Sequence, residues 1–180
     1  MRIEAQSRKT VLNGRVFDFT VENVTLPNGV NIDLEIIRHP GASAVVPLTS
    51  ENEVVMLKQY RHAVGGLVWE IPAGTFDADD DSPLMCAKRE LTEETGYDAG
   101  IWETIGTVTP LPGYSDERIH LFLARNLTPA NRSPDPDEII EVHTIPLEKV
   151  VTMIVEGEIE DAKTIVAIFR TLHVADRCSL

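Results

Sequence analysis

Residues 89–96 read Arg-Glu-Leu-Thr-Glu-Glu-Thr-Gly and close the best-signalled helix in the chain. Ser82 can cap its N-terminus, Pro83 suits the first helical position and Gly96 suits the stop, so the helix is expected over about 83–95. At ~100° per residue, Glu90, Glu93 and Glu94 share one face. Leu84, Ala87 and Leu91 form an adjoining apolar face that can rest on a sheet. Three acids so close repel one another and bind protons more tightly unless a hard cation joins them. Two of them also lie near the negative end of the helix dipole, where a carboxylate is unfavourable. Oxygen donors of this kind suit Mg²⁺, with Mn²⁺ as the other candidate, and no His-x-x-x-His pair points to zinc. Arg89, four residues before Glu93, can pair with it and hold it in place.

Outward from that helix the pattern is strand-rich. Residues 16–26 and Asn31 to Arg38, separated by Pro27-Asn28-Gly29, read as a hairpin. Ala42 to Leu48 and Glu53 to Arg61 are dense in valine and read as core strands, followed by a short strand from Leu67 to Pro72. After the helix, strands are expected at Thr104 to Thr109, Arg118 to Ala124 and Ile139 to Ile145. Two helices end the chain, Leu147 to Val155 and Ala162 to Val174. Asp161 is the cap of the second, and Ile165, Ile168, Phe169 and Leu172 are its apolar face. Strands on both sides of a central helix, with helices last, predict an α/β fold in which helices cover a mixed sheet. The expected organisation is an N-terminal strand and hairpin segment, 1–41, and one main domain, 42–180.

Composition narrows the function. A net charge of -13 argues against nucleic acid as a partner, since binding a polyanion rests on Lys and Arg. A small phosphorylated ligand remains compatible with an acidic chain if a divalent cation screens the two. The N-terminus has no apolar leader, and no run of about 18 apolar residues suits a bilayer, so the expectation is a cytoplasmic protein with no membrane partner. Cys86 and Cys178 lack any paired spacing and read as free thiols. Asp77, Asp79 and Asp81 have the opening spacing of a calcium loop, but Ser82 and Lys88 stand where that loop needs glycine and glutamate. Ser115 lacks the second glycine of a nucleophile elbow, and Trp69 reads as a core anchor.

Gly74, Asp81 and Arg89 to Tyr97 together resemble the Nudix box, G-x5-E-x7-R-E-U-x-E-E-x-G-U, where U is bulky and apolar. Asp81 replaces the first glutamate and keeps the spacing to Arg89, while the loop after Gly74 is one residue longer than in the box. The resemblance implies a Nudix-type α/β/α sandwich with a mixed central sheet and an N-terminal β-hairpin extension. It also implies metal ligands at Glu90, Glu93, Glu94 and the carbonyl of Ala73. From about Val16 to Leu172 the chain is similar to the ADP-ribose pyrophosphatase branch of that family. By that similarity Arg61 meets phosphate and Glu70 the nucleotide end. Pro112, sixteen residues after Gly96, is the branch's marker, with Gly113 and Glu117 beside it at the substrate. The catalytic group falls to Glu138 or Glu93, with Glu141 in reserve and Arg89 as the residue that holds Glu93. The hairpin of that branch is exchanged within a homodimer.

The activity so implied is Mg²⁺-dependent hydrolysis of the pyrophosphate of a nucleoside diphosphate sugar, ADP-ribose first, to AMP and ribose 5-phosphate. GDP-mannose, another nucleotide sugar or a dinucleotide is the alternative substrate. A non-catalytic Nudix domain that senses a nucleotide is the alternative of a different class.

Overall fold

The computed structural model describes residues 3–177, with side chains to residue 174, so Cys178 lies outside the described residues. The chain divides into two compact units, Met1–Gly41 with Thr109–Arg118, and Ala42–Val108 with Ile119–Leu180.

The first unit is an antiparallel sheet of β1 (Ser7–Asn13), β2 (Asp18–Thr25) and β3 (Asn31–Arg38), in that order. The expected hairpin is β2 and β3, and β1 is a third strand that sequence reading did not find. All seven residues of β1 are exposed, so it carries no apolar alternation to read. On β2 every second residue, Thr20, Glu22 and Val24, turns inward. A buried carboxylate needs charged partners. Glu22 has Arg8 at 2.7 Å and Arg38 at 2.6 Å, and the Thr20 hydroxyl donates to it at 3.1 Å. These bonds, the one from Arg38 foremost, hold its carboxyl down at about 2 against the cost of burial. Arg38 also pairs with Asp116 at 2.8 Å, which ties the segment Thr109–Arg118 to β3.

The second unit contains two sheets. One is mixed, ordered β7 (Ala73–Thr75), β4 (Ala42–Pro47), β9 (Ile119–Pro129) and β8 (Tyr97–Val108), with β4 and β9 parallel and the other pairs antiparallel. The other is antiparallel, ordered β10 (Ile140–Pro146), β5 (Glu53–Arg61) and β6 (Gly66–Glu70). All six residues of β4 are buried, so side chains on both of its faces meet other layers. Val45, with Phe122 and Ala124 of β9, meets Ala87 and Leu91 of the central helix. Ala44 and Val46, with Leu121 and Leu123, meet Ala167 and Ile168 of α3 (Ala162–Arg177). Alternation along the strands therefore puts α1 (Pro83–Glu90) and α3 on opposite faces of one sheet, which is the α/β/α layering. Leu147, Val150 and Met153 of α2 (Leu147–Val155) join the same core as Val54 and Met56 of β5. Each buried aliphatic side chain of this size contributes roughly 1.5–3 kcal/mol.

Two expectations need correction. Phe169 is exposed, and the inward face of α3 is Thr164, Ala167, Ile168 and Thr171. Ala167 and Ile168 on that inner side meet Ala44 and Val46 of β4. Strand β8 begins directly after Gly96 instead of at Thr104, because β9 runs on to Pro129 and supplies its partner.

Candidate active site

The carboxylates stand on a helix whose start is fixed by Ser82, which accepts from the Met85 amide at 3.3 Å, with Pro83 in the first turn. The Ser43 hydroxyl donates to the Pro83 carbonyl at 2.6 Å and fastens that end to β4. Sequence reading treats the element as one α-helix, but it is α-helical to Glu90 and continues as a π-helical turn, Leu91–Thr95. Gly96, at φ 76, ends it in the left-handed region that glycine tolerates. A π turn spreads the residues more widely than an α turn, a device frequent at functional sites. The three acids are therefore unequal. Glu94 is 1% exposed and Glu90 is buried, whereas the Glu93 side chain is 41% exposed.

The two buried acids meet the first two residues of β7, Ala73 and Gly74. Glu94 accepts from the Ala73 amide at 2.9 Å. The carboxylate of Glu90 occupies the space where a side chain at position 74 would begin, so Gly74 admits it. Burial pushes the Glu90 carboxyl up to about 7; Arg89 opposes the shift, and the charges of Glu93 and Glu138 add to it. Burial likewise drives Glu94 well above the usual carboxylate range, with Glu90 adding to the effect. Burial also pushes the Cys86 thiol up to about 12, and its sulfur rests 3.4 Å from the Gly74 carbonyl oxygen as an inert filler.

Arg89 holds the arrangement together. It donates to Glu90 at 2.7 Å, to Glu93 at 3.1 Å, to the Thr75 carbonyl at 3.1 Å and to Asp80 at 2.9 Å. The Arg89 to Glu93 pair is the one expected from spacing. Asp80 is a residue that sequence reading missed in favour of Asp81, which is exposed. Arg89 holds the Asp80 carboxyl below its ordinary value. The signal was present, because Asp80 and not Asp81 follows Gly74 after five residues. The extra residue falls between Asp80 and Arg89, as the exposed Asp81.

Arg61, at the end of β5, meets Glu70, at the end of β6, through two parallel bonds of 2.7 and 2.9 Å. Glu70 is buried, and its second oxygen also accepts from Lys163. Burial alone would raise the Glu70 carboxyl, but Arg61 and Lys163 outweigh it and hold it low. The Glu70 carboxylate raises the proton affinity of Arg61, and the charge of Glu94 adds to it. Glu138 lies in the loop between β9 and β10, and its carboxylate accepts from the Asp135 amide at 2.9 Å. Arg132 fastens the root of that loop, donating to the Glu94 carbonyl at 2.6 Å and to the Ile140 carbonyl at 3.1 Å. The Ser133 amide donates to the Glu93 carbonyl at 3.1 Å. Glu141 is on β10, paired with His143 at 3.3 Å. Pro112, Gly113 and Glu117 belong to the first unit, the first two in an exposed turn closed by the bonds of Tyr114 and Ser115 to the Leu111 carbonyl.

The structure thus gathers Arg61, Glu70, Ala73, Arg89, Glu90, Glu93 and Glu94 around the entry to β7. Among the described residues no three His, Cys, Asp or Glu side chains converge in a closed metal cage, for Arg89 lies between Glu90 and Glu93. The donors still fit a hard divalent cation. They are carboxylate and carbonyl oxygens, two of the acids are buried with raised proton affinity, and Gly74 keeps a side chain out of the space Glu90 needs. No helix among the described residues is long and apolar enough to cross a membrane.

Comparison with known proteins gives the family and the fold. Residues 37–167 match the NUDIX domain model. The chain is 40% identical to an ADP-ribose pyrophosphatase of Bacillus subtilis over 164 residues, covering 90% of this chain and 88% of the relative. It is 39% identical to a methanol dehydrogenase activator of Bacillus methanolicus, covering 88% and 86%. The crystal structure of an ADP compounds hydrolase superposes with a TM-score of 0.83 over 98% of this chain and 95% of the other, at 20% identity, which shows the shared fold. With the box carboxylates, their arginine and the layered sheet all in place, the chain belongs to the Nudix family and is a Nudix hydrolase similar to ADP-ribose pyrophosphatases.

Proposed function

We propose that the protein hydrolyses the pyrophosphate bond of a nucleoside diphosphate sugar, and of ADP-ribose before others, giving AMP and ribose 5-phosphate. The observation that carries this reading is the pair of buried carboxylates, Glu90 and Glu94, set on either side of the Ala73–Gly74 backbone. Mg²⁺, or Mn²⁺ in its place, would be held by Glu90, Glu93, Glu94 and the Ala73 carbonyl, and would neutralise diphosphate charge and make water a better nucleophile. Arg89 keeps Glu90 and Glu93 in place. Arg61 holds a phosphate oxygen, and so orients the diphosphate for attack. The attacking water forms one P–O bond as the bridging P–O bond breaks, and Glu138, or Glu93 in its stead, takes the proton. The N-terminal segment 1–41 would form the contact of a homodimer, and light scattering tests it.

The substrate is tested by phosphate release from a panel of nucleotide sugars, coupled to a phosphatase, with Mg²⁺ and with EDTA. ADP-ribose turned over fastest, and only with metal, is the expected result. GDP-mannose ahead of it would move the assignment to another nucleotide sugar. No release from any substrate would mean a nucleotide-sensing domain.

A further inference from the structure

Glu70 is buried and both its oxygens are engaged, one by Arg61 Nε at 2.7 Å, the other by Arg61 Nη2 at 2.9 Å and by Lys163 Nζ. A carboxylate so committed has little left to offer a substrate. The edge of the Arg61 guanidinium that carries Nη1 takes no part in that fork, and Arg61 is 41% exposed. Lys163 is anchored in turn. It donates to Asp161 at 3.0 Å, and Asp161 also accepts from the Thr164 amide at 3.0 Å and the Thr164 hydroxyl at 2.6 Å. The Thr164 hydroxyl accepts from the Ile71 amide at 3.0 Å, next to Glu70. The first turn of α3 thus grips both the side chain of Glu70 and the backbone that follows it.

We propose that Lys163 is a positioning residue of the active site, which fixes Glu70 so that Glu70 fixes Arg61 toward a phosphate oxygen, with Glu70 itself not a substrate contact. This rests on the reading of Arg61 as the phosphate-binding arginine. The charge arithmetic supports it. Arg61 and Lys163 together balance Glu70 and Asp161; without Lys163 the two carboxylates would face Arg61 alone and draw it inward, whereas with Lys163 in place Arg61 keeps its outward edge. A planar fork held on one side is a preorganised donor on the other.

The test is steady-state kinetics on ADP-ribose with Mg²⁺ for full-length Lys163→Met, Lys163→Arg, Arg61→Ala and the double variant K163M/R61A, with melting temperatures alongside. Lys163→Met is expected to raise KM about tenfold, the worth of one charged hydrogen bond, with little change in kcat. Lys163→Arg is expected to restore most of it. In the Arg61→Ala background the lysine substitution is expected to add nothing, because the residue it acts through is gone. A lower melting temperature with unchanged KM, or the full lysine effect persisting without Arg61, would overturn the inference and leave the reading of Arg61 intact. A wild-type KM for Arg61→Ala would overturn that reading, and the inference with it. If Lys163→Met does not fold, Lys163→Gln takes its place in the same comparison.

Discussion

Gly74 and Glu90 share one small volume, since the first carbon of any side chain at position 74 would overlap the Glu90 carboxylate. Gly74→Ala must therefore either displace Glu90 from between Gly74 and Arg89 or push β7 away from α1. We expect turnover to fall about a hundredfold, the scale on which an ångström of misplacement acts in a catalytic site. The measurement is kcat/KM on ADP-ribose; Gly74→Ala with wild-type turnover would show that Glu90 needs no such space.

Asp80 and Asp81 are neighbours with opposite fates. Asp80 is nearly buried against Arg89, whereas Asp81 is exposed. Removing one partner of a charged hydrogen bond of this kind costs about 1.5–3 kcal/mol, and surface changes usually stay within about 0.5 kcal/mol. Asp80→Ala should therefore lower stability and turnover, and Asp81→Ala should do neither. Urea melts of the two variants decide it; equal effects would refute the distinction.

The Glu22 carboxyl, held down at about 2 by Arg38 and its other partners, sets a pH dependence for the first unit. Its ordinary value is 4.5, so the folded form binds its proton less readily than the unfolded form. The stabilisation is then complete above 4.5 and drains away as the pH falls toward 2. Its size is on the order of 1–3 kcal/mol. Hydrogen exchange of the β2 amides Thr20 to Val24 should quicken across that window beyond the intrinsic trend, and Glu22→Gln should flatten the change.

Glu93→Gln and Glu94→Gln are both expected to abolish most turnover with Mg²⁺, but for different reasons. Glu94 is buried and bonded to the Ala73 amide, so its loss should also shift the melting temperature. Glu93 is half-exposed and shares Arg89 only as an i,i+4 surface pair, so its variant should melt close to the wild type. Wild-type rates for either variant would remove it from the proposed metal set.

The helix of Glu90, Glu93 and Glu94 was legible because cap, stop and apolar stripe all obey one local periodicity, and Leu84, Ala87 and Leu91 do face the sheet. The core strands were legible for the same reason, valine-dense runs bounded by turns. What sequence could not show depends on non-local geometry. The exposed strand β1 has no pattern at all. Phe169 reads as inward by hydrophobicity, while the inward positions Thr164, Ala167 and Thr171 carry no strong hydrophobic signal. Lys163 is 93 residues from Glu70, and nothing in either neighbourhood announces the other. Asp80 was missed because the box can be counted from either end, and the inserted residue makes the two counts differ.

Arg132 and Ser133 pin the chain to the carbonyls of Glu94 and Glu93 before the loop runs on toward β10. Residues 134–139, Glu138 among them, are thereby hung from a fixed point on the backbone of the acid-bearing helix, where Glu90 and Glu94 feel the charge of Glu138. The reach of the proposed base is therefore set from outside the core, by one exposed arginine and one backbone amide.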